Sequence, residues 1–261
     1  MLTVHHLNNS RSQRVLWLLE ELELPYKIVH YTRDPDTNLA PPALEALHPL
    51  GKSPLLADDD RIIMESGAII DYILRRYGNG RLLPAPGSDA HEEYLQWLHY
   101  VEGSAMLPLM LRMYTSRLPD QGAELQPRIT DELNRHLGYI DSALEGNSWL
   151  VDDSFSGADV QMSFVAEVAP LLHTLDPFPN LAAFRNRIHA RPAYRRALDQ
   201  GRVGRCQFAS PQINVVFQAD PHVAAQKHRL GDHRELLARD AERRPGRPFG
   251  QAVAHVHHGF R

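Results

Sequence analysis

Cysteine is nearly absent from this chain, in which Cys206 is the only one among 261 residues. A single cysteine cannot form an internal disulfide, and it argues against a redox centre that depends on a cysteine pair. Long apolar runs are also lacking. None reaches the length that spans a membrane, and the first residues do not show the basic and then apolar layout of a signal peptide. We therefore expect a cytoplasmic protein without a membrane partner.

The chain carries little net charge, −4 at pH 7, but its charges are unevenly distributed. Residues 202–261 contain ten basic and five acidic side chains, whereas the rest of the chain contains 18 basic and 27 acidic ones. An acidic body argues against nucleic acid as the main partner. With 43% hydrophobic residues, the chain has enough apolar material for one large domain or two modest ones.

Strand and helix patterns alternate over the first part of the chain. They predict strands over Leu2–Leu7, Tyr26–Tyr31, Ser53–Ala57 and Arg61–Met64, an amphipathic helix that Leu24-Pro25 ends, and a helix from Ser66 to Tyr77. The segment between the second and third strands is predicted to be either a loop or a helix. This order of elements is that of a thioredoxin-like domain, which we assign to residues 1–83.

Residues 84–88 are dense in turn residues and predict a linker, beyond which the strand pattern disappears. Helical segments are expected from His91 to about Leu118, Pro127 to Leu144, Ala158 to Leu172 and Leu181 to His189. We therefore assign residues 89–201 to an all-helical domain, with a structural capping box at Ser156–Asp159. Residues 202–261 form an atypical basic, histidine-containing tail. Its short apolar run and one helix-like stretch leave open whether it folds, is disordered, or results from a shifted reading frame.

Two polar features near the centre of the first domain suggest a receptor for a small acidic peptide. Ser53 precedes Pro54, which pushes its backbone into an extended conformation, so its N–H and C=O can pair with a peptide-like ligand. Ser66 opens a helix, where free N–H groups and the helix dipole favour a carboxylate. Both features also have ordinary structural roles, but their order and spacing favour a ligand.

These residues resemble the glutathione-binding half of the glutathione S-transferases, and the resemblance extends from about Leu2 to about Leu198. It rests on the segments Pro-Leu-Gly-Lys-Ser-Pro-Leu-Leu at 49–56 and Glu-Ser-Gly-Ala-Ile at 65–69. It implies a thioredoxin-like α/β domain followed by an all-α domain, glutathione as cosubstrate, and a homodimer. It also implies a set of contacts to glutathione: a cis Pro54, Ser53 backbone bonds to the cysteinyl part, Glu65 and Ser66 at the γ-glutamyl end, and Lys52 at the glycine carboxylate.

Glutathione reacts as a thiolate, and one well-placed hydroxyl suffices to stabilise it. Ser10 matches the serine of the serine-type bacterial and fungal branch, and Ser12, Asn8 and Asn9 are rivals for the same contact. Ser10 also begins an S-x-x-Q pattern, so its hydroxyl could instead cap the backbone of Gln13. His5 and His6 are interpreted as packing or surface residues of the first strand.

The resemblance implies an enzyme that conjugates the glutathione thiolate to small apolar electrophiles. Candidates for contact with the electrophile are Tyr100, Met106, Met110 and Tyr114, although each has an equally ordinary role in a core or a dimer contact. A glutathione-dependent peroxidase and a non-catalytic binding or regulatory module are the alternative functions. No metal is expected, because the histidines at 255, 257 and 258 lack acidic or cysteine partners at ligand spacing.

Overall fold

The first part of the chain forms a mixed four-stranded sheet with helices. The structure, a computed structural model, describes residues 1–202. Its first elements are β1 (Leu2–Leu7), α1 (Ser12–Glu21), β2 (Tyr26–Tyr31), α2 (Pro42–Glu45), β3 (Leu55–Asp58), β4 (Arg61–Met64) and α3 (Ser66–Tyr77). The strand order is β2-β1-β3-β4, in which β1 is parallel to β2 and β3 is antiparallel to both of its neighbours. The expected thioredoxin-like fold is confirmed.

The third strand begins two residues later than the sequence predicts. Its pairing with β1 starts where Leu55 faces His5, because Pro54 has no N–H to contribute to the ladder. At the other end Asp58 still pairs with Leu2, so the strand runs one residue beyond the predicted end at Ala57. The segment before β3 is therefore a loop that lies beside β1.

The second part of the chain is helical, as predicted. Its elements are α4 (Asp89–Tyr100), a π-helical turn (Val101–Ala105), α5 (Met106–Thr115), α6 (Gln126–Ala143), α7 (Gly157–Leu172), α8 (Pro179–Ala190) and α9 (Pro192–Gln200). The long helix predicted from His91 is thus interrupted by a π-helical turn, a feature that is frequent at functional sites. Within the described part of the chain, no helix has both the length and the apolar character needed to cross a membrane.

The predicted capping box is present at the start of α7. The Oγ of Ser156 accepts a hydrogen bond of 3.2 Å from the N–H of Ala158, and a carboxylate oxygen of Asp159 accepts one of 2.8 Å from the N–H of Ser156. The second carboxylate oxygen accepts from the N–H of Leu150 at 3.0 Å. Because these bonds fix the entry of the most buried helix, their role is structural.

One continuous apolar core runs through both parts. The helix α1 contacts α3 on its own side and α7 and α9 of the helical part. The helices α7 and α3 approach closely at Gly157, where an added Cβ would lie 2.6 Å from the Leu74 side chain. This packing holds the loop before α1 and the start of α3 against the helical part, where Arg11 contacts Glu102 and Ser66 contacts Gln161.

Candidate active site at the domain junction

The loop between β1 and α1 contains the hydroxyl that the sequence assigns to the thiolate. Ser10 is 8% exposed, and its Oγ accepts a hydrogen bond of 3.2 Å from the backbone N–H of Ser12. The alternative capping box is not formed, because the N–H of Gln13 bonds to the backbone carbonyl of Ser10 at 3.3 Å and not to its hydroxyl. The Oγ atoms of Ser10 and Ser53 lie 3.5 Å apart, so the two loops meet here.

The three rival groups are placed differently from Ser10. Ser12 is fully buried at the start of α1, which keeps a ligand away from its hydroxyl. The Oδ1 of Asn8 accepts a hydrogen bond of 2.9 Å from the backbone N–H of Arg33. Asn9 is exposed with a φ of 52°, and its carbonyl accepts from the Arg33 side chain at 3.3 Å. Ser10 is therefore the best placed of the four.

His6 on β1 is a buried packing residue, one of the two roles that the sequence suggests, and it also contacts a serine of the candidate site. Its side chain is 2% exposed, and its Nδ1 lies 2.8 Å from Ser12 Oγ. Its Nε2 lies 3.0 Å from the carbonyl oxygen of Gly201, which directly follows α9. Burial lowers the pKa of the imidazole to about 4, so His6 is neutral at pH 7. The contact with Gly201 joins positions far apart in the chain, which no local spacing rule reveals.

The loop before β3 is attached to β1 through a side chain. The Ser53–Pro54 peptide bond is cis, as the resemblance implies. The Ser53 hydroxyl donates to the carbonyl of His5 at 2.9 Å and accepts from the N–H of Leu7 at 3.2 Å. Because the side chain faces β1, the backbone of Ser53 is the part that an extended ligand can address. Lys52 beside it is exposed.

The other end of the candidate site lies at the N-terminus of α3. Glu65 precedes the helix with a φ of 67°, a left-handed conformation that is costly for a residue with a side chain. Ser66 is 3% exposed, and its Oγ accepts hydrogen bonds from Arg14 at 3.0 Å and from Gln161 at 3.2 Å. The free N–H groups of the first helical turn favour an anion at this point.

Arg14 belongs to a charged cluster, formed by Arg11, Arg14 and Glu102, that connects the two parts of the chain. Arg14 is 1% exposed, and its guanidinium lies 2.5 Å from a carboxylate oxygen of Glu102. The Nε of Arg11 lies 2.9 Å from both oxygens of the same carboxylate. Arg14 thus places a buried positive charge in contact with Ser66, which suits a carboxylate ligand.

The ionisation of this cluster is stable at neutral pH. Burial of Glu102 opposes ionisation, but the attraction of Arg14 and Arg11 outweighs it and holds the pKa of the carboxyl below its usual value. Burial lowers the pKa of Arg14 to about 10, which still leaves the guanidinium charged at pH 7. Sequence reasoning did not find this cluster, because Arg14 and Glu102 resemble ordinary helix charges and are 88 positions apart.

The residues predicted to contact an electrophile do not form one group. Met106 is 2% exposed and packs in the core, which is the alternative role that the sequence leaves open for it. Tyr100 is turned toward α6, where its hydroxyl lies 2.8 Å from Nδ1 of His136. Met110 is half-buried against the core. Tyr114 is 54% exposed on α5.

An apolar stripe on and just beyond α5 is more accessible than the predicted set. It consists of Leu107, Leu111, Tyr114 and Leu118, whose exposed fractions are 59%, 39%, 54% and 45%. Spacings of four and three residues put Leu107, Leu111 and Tyr114 on one face of α5, and Leu118 follows just beyond the helix. The stripe follows directly after the π-helical turn that carries Glu102.

Metal chemistry has no visible support in the described residues. Among residues 1–202, no three His, Cys, Asp or Glu side chains are grouped so that they could hold a metal ion. The histidines at 255, 257 and 258, the only cysteine, and the predicted elements of the tail lie outside the described residues.

The fold and the site define a two-domain protein of the thioredoxin-fold class, in which polar loops of the sheet domain face a helical domain. Known proteins share this arrangement. The family model of the glutathione S-transferase N-terminal domain matches residues 4–81, and that of the C-terminal domain matches residues 95–192. Glutathione S-transferase 1 of Saccharomyces cerevisiae is 36% identical over 65% of this chain and 81% of its own length. Glutathione S-transferase 3 of Schizosaccharomyces pombe is 33% identical over 77% of this chain and 88% of its own length.

Solved structures agree with the sequence relatives. A glutathione S-transferase from Actinobacillus pleuropneumoniae has a TM-score of 0.70 and 32% identity, and the match covers 77% of this chain and 93% of that one. A sphingomonad glutathione S-transferase complexed with glutathione has a TM-score of 0.64 at 22% identity over 76% of this chain and 98% of that one, which shows the fold alone. The chain belongs to the glutathione S-transferase family.

Proposed function

We propose that this protein is a glutathione transferase of the serine type that adds the thiolate of glutathione to small apolar electrophiles. The observation that carries the proposal is the 3.5 Å approach of the Ser10 and Ser53 hydroxyls. It brings the hydroxyl of Ser10, the preferred candidate for the thiolate donor, next to the residue whose backbone would hold the cysteinyl part of the tripeptide. The presence of glutathione in a structure of the same family supports it as the cosubstrate.

The geometry fits a tripeptide that lies along the loop before β3. The backbone of Ser53 pairs with its cysteinyl unit as an added strand would. The γ-glutamyl end lies at Glu65 and Ser66. The helix terminus and Arg14 supply positive charge for its carboxylate, and Glu65 supplies negative charge for its ammonium group. The glycine carboxylate faces Lys52.

The Ser10 hydroxyl lowers the pKa of the bound thiol by donating a hydrogen bond to the charged sulfur. A free thiol has a pKa of about 8.5 and is only slightly ionised at pH 7. A hydrogen bond to a charged group contributes roughly 1.5–3 kcal/mol, which lowers the pKa by about one to two units. This is enough to make an appreciable fraction of the bound glutathione nucleophilic without a metal ion.

The electrophile lies against the apolar stripe on α5. Tyr114 is retained from the set predicted from sequence, and Leu107 and Leu111 replace the buried Met106. An exposed apolar face is unfavourable in water, and a bound apolar molecule would cover it. The homodimer implied by the resemblance remains a prediction, and so does a cytoplasmic location.

Replacement of Ser10 by alanine tests the proposal. We expect the pKa of bound glutathione, followed by thiolate absorbance near 240 nm, to rise by about one to two units with little loss of glutathione affinity. The matched control is Asn9→Gly, which removes a rival side chain, keeps its positive φ accessible and should leave the thiol pKa unchanged. An unchanged pKa in Ser10→Ala would transfer the role to a neighbour.

Three assays on the intact protein separate the candidate functions. Retention on immobilised glutathione is expected for all of them except a module whose site has decayed. Conjugation of chlorodinitrobenzene is expected for a transferase. Turnover of cumene hydroperoxide in place of conjugation would instead identify a glutathione-dependent peroxidase.

A further inference from the structure

A chain of three hydrogen bonds leads from Ser10 into the interior. The Oγ atoms of Ser10 and Ser12 are 2.7 Å apart, the Oγ of Ser12 is 2.8 Å from Nδ1 of His6, and Nε2 of His6 is 3.0 Å from the carbonyl oxygen of Gly201. All three side chains are buried, with exposed fractions of 8%, 0% and 2%. Water therefore does not compete for these bonds.

The direction of the chain follows from its inner end. The Gly201 carbonyl can only accept, so Nε2 of His6 carries the hydrogen. A neutral imidazole has one N–H, which leaves Nδ1 as an acceptor for the hydroxyl of Ser12. Because the Ser12 hydroxyl donates its hydrogen to His6, its oxygen accepts the hydrogen bond that the Ser10 hydroxyl donates. The weaker alternative acceptor for Ser12, the Leu7 carbonyl, is 3.3 Å away.

The surroundings of His6 keep the imidazole neutral. The pKa of His6 is lowered by burial, and the nearby His30 on β2, whose ring is edge-on at a centroid distance of 5.7 Å, lowers it further. On the side of α9, Asp199 pairs with Arg202 at 3.2 Å. Protonation of both imidazole nitrogens, which would reverse the chain, is thus disfavoured near pH 7.

We propose that Ser12 and His6 are positioning residues that hold the Ser10 hydroxyl proton away from the sulfur of bound glutathione. This inference rests on the proposed function. In the resting protein Ser10 presents a lone pair outward, which suits a protonated thiol. When the thiol proton leaves to water, the Ser10 hydroxyl turns from Ser12 to the thiolate and gives up its bond to Ser12. The three hydrogen bonds therefore compete with the sulfur for the Ser10 proton and oppose ionisation of the bound thiol. The thiolate forms when the Ser10 hydroxyl has turned toward the sulfur.

Removal of the inner acceptor tests the proposal. In Ser12→Ala the Ser10 proton loses its nearer acceptor and keeps only the Ser53 oxygen at 3.5 Å, so we expect the pKa of bound glutathione to fall by about half a unit to one unit. The direction is decisive, because general loosening of the site would raise the pKa or leave it unchanged. The matched control is Ser163→Ala, which removes another buried serine hydroxyl, bonded to the Val160 carbonyl, and should leave the thiol pKa as in the wild type.

A second measurement uses the unaltered protein. The ¹⁵N chemical shifts of the His6 ring should identify a neutral Nε2–H tautomer across pH 6–8, and an Nδ1–H tautomer would reverse the chain and overturn the proposal. The inference and the proposed function fail separately. If Ser10→Ala raises the thiol pKa but Ser12→Ala does not lower it, only the role proposed for the hydrogen-bond chain through Ser12 and His6 is wrong. If Ser10→Ala has no effect, the assignment of the thiolate donor itself fails.

Discussion

The two ends of the candidate glutathione site are built from different kinds of polar group. The hydrogen-bond chain that begins at Ser10 is made of neutral groups: two hydroxyls, an uncharged imidazole and a backbone carbonyl. Around Ser66 the groups are ionised, with Arg14 held between a hydroxyl and the Glu102 carboxylate. Both ends reach into the helical domain, but the first does so through a hydrogen bond and the second through an ion pair.

The difference matches the chemistry that each end has to perform. A fixed charge beside a thiol would shift the pKa of the thiol by a constant amount. Neutral hydroxyls, in contrast, can turn from one hydrogen-bond partner to another when the thiol loses its proton. A carboxylate is charged at all physiological pH values, so a permanent counter-charge is the suitable partner. We infer that the end at Ser10 controls protonation, and that the end at Ser66 controls affinity and the contact between domains.

Replacement of Glu102 by glutamine should produce the largest effect. Arg14 is 1% exposed and would lose its counter-ion in the interior, so we expect the free energy of unfolding to fall by about 3 kcal/mol. Urea denaturation measures the change. The control is Asp71→Asn, which breaks an i,i+4 pair with the exposed Arg75 and should change stability by about 0.5 kcal/mol or less.

The same pair predicts a pH dependence with a defined sign. The pKa of Glu102 is lower in the folded protein than the ordinary value of 4.5, because attraction to the two arginines outweighs burial. Its stabilisation is therefore complete above pH 4.5 and is lost as the pH falls through the lower, folded-state pKa. The difference between the wild type and Glu102→Gln should narrow in acid. A difference that stayed constant down to pH 3 would contradict the role of the charge.

Ser66→Ala should have an intermediate effect on glutathione binding, and it should also lower stability because two buried donors lose their acceptor. The hydroxyl accepts from Arg14 and Gln161, and its loss leaves the guanidinium less well fixed beside the γ-glutamyl carboxylate. The lost hydrogen bond lies within the protein and lowers affinity only through the less fixed guanidinium, so glutathione affinity should fall by about tenfold or less. Calorimetry measures the affinity, and the thiol pKa of whatever glutathione remains bound should not change. A shifted thiol pKa would show that the two ends are not independent.

The sequence predicts the two ends of the site to very different degrees. Ser53, Pro54 and Ser66 stand out because a proline and a helix start restrict the backbone locally. The partners that complete the site do not, since Glu102 and Gly201 arrive from the helical domain through tertiary packing. The π-helical turn that contains Glu102 has no local signature, and the sequence pattern predicts one uninterrupted helix there. The sequence likewise does not decide between a core and a pocket role for Met106, and the structure shows it buried in the core.

Lys52→Ala should give the smallest change in glutathione affinity. Lys52 represents a third kind of contact, an ion pair that is exposed to solvent. Lys52 is exposed, so its attraction to the glycine carboxylate acts through water and should contribute only about two- to fivefold in glutathione affinity. Such an interaction is screened by salt, whereas the buried cluster at Arg14 is screened much less. Titrations at low and high ionic strength should therefore show the Lys52→Ala deficit shrinking while the Ser66→Ala deficit persists.

The matched control is Lys27→Ala on β2, an exposed lysine outside the assigned contacts, which should bind glutathione as the wild type does. If the loss of glutathione affinity in Lys52→Ala did not depend on salt, Lys52 would make a desolvated contact, as Arg14 does.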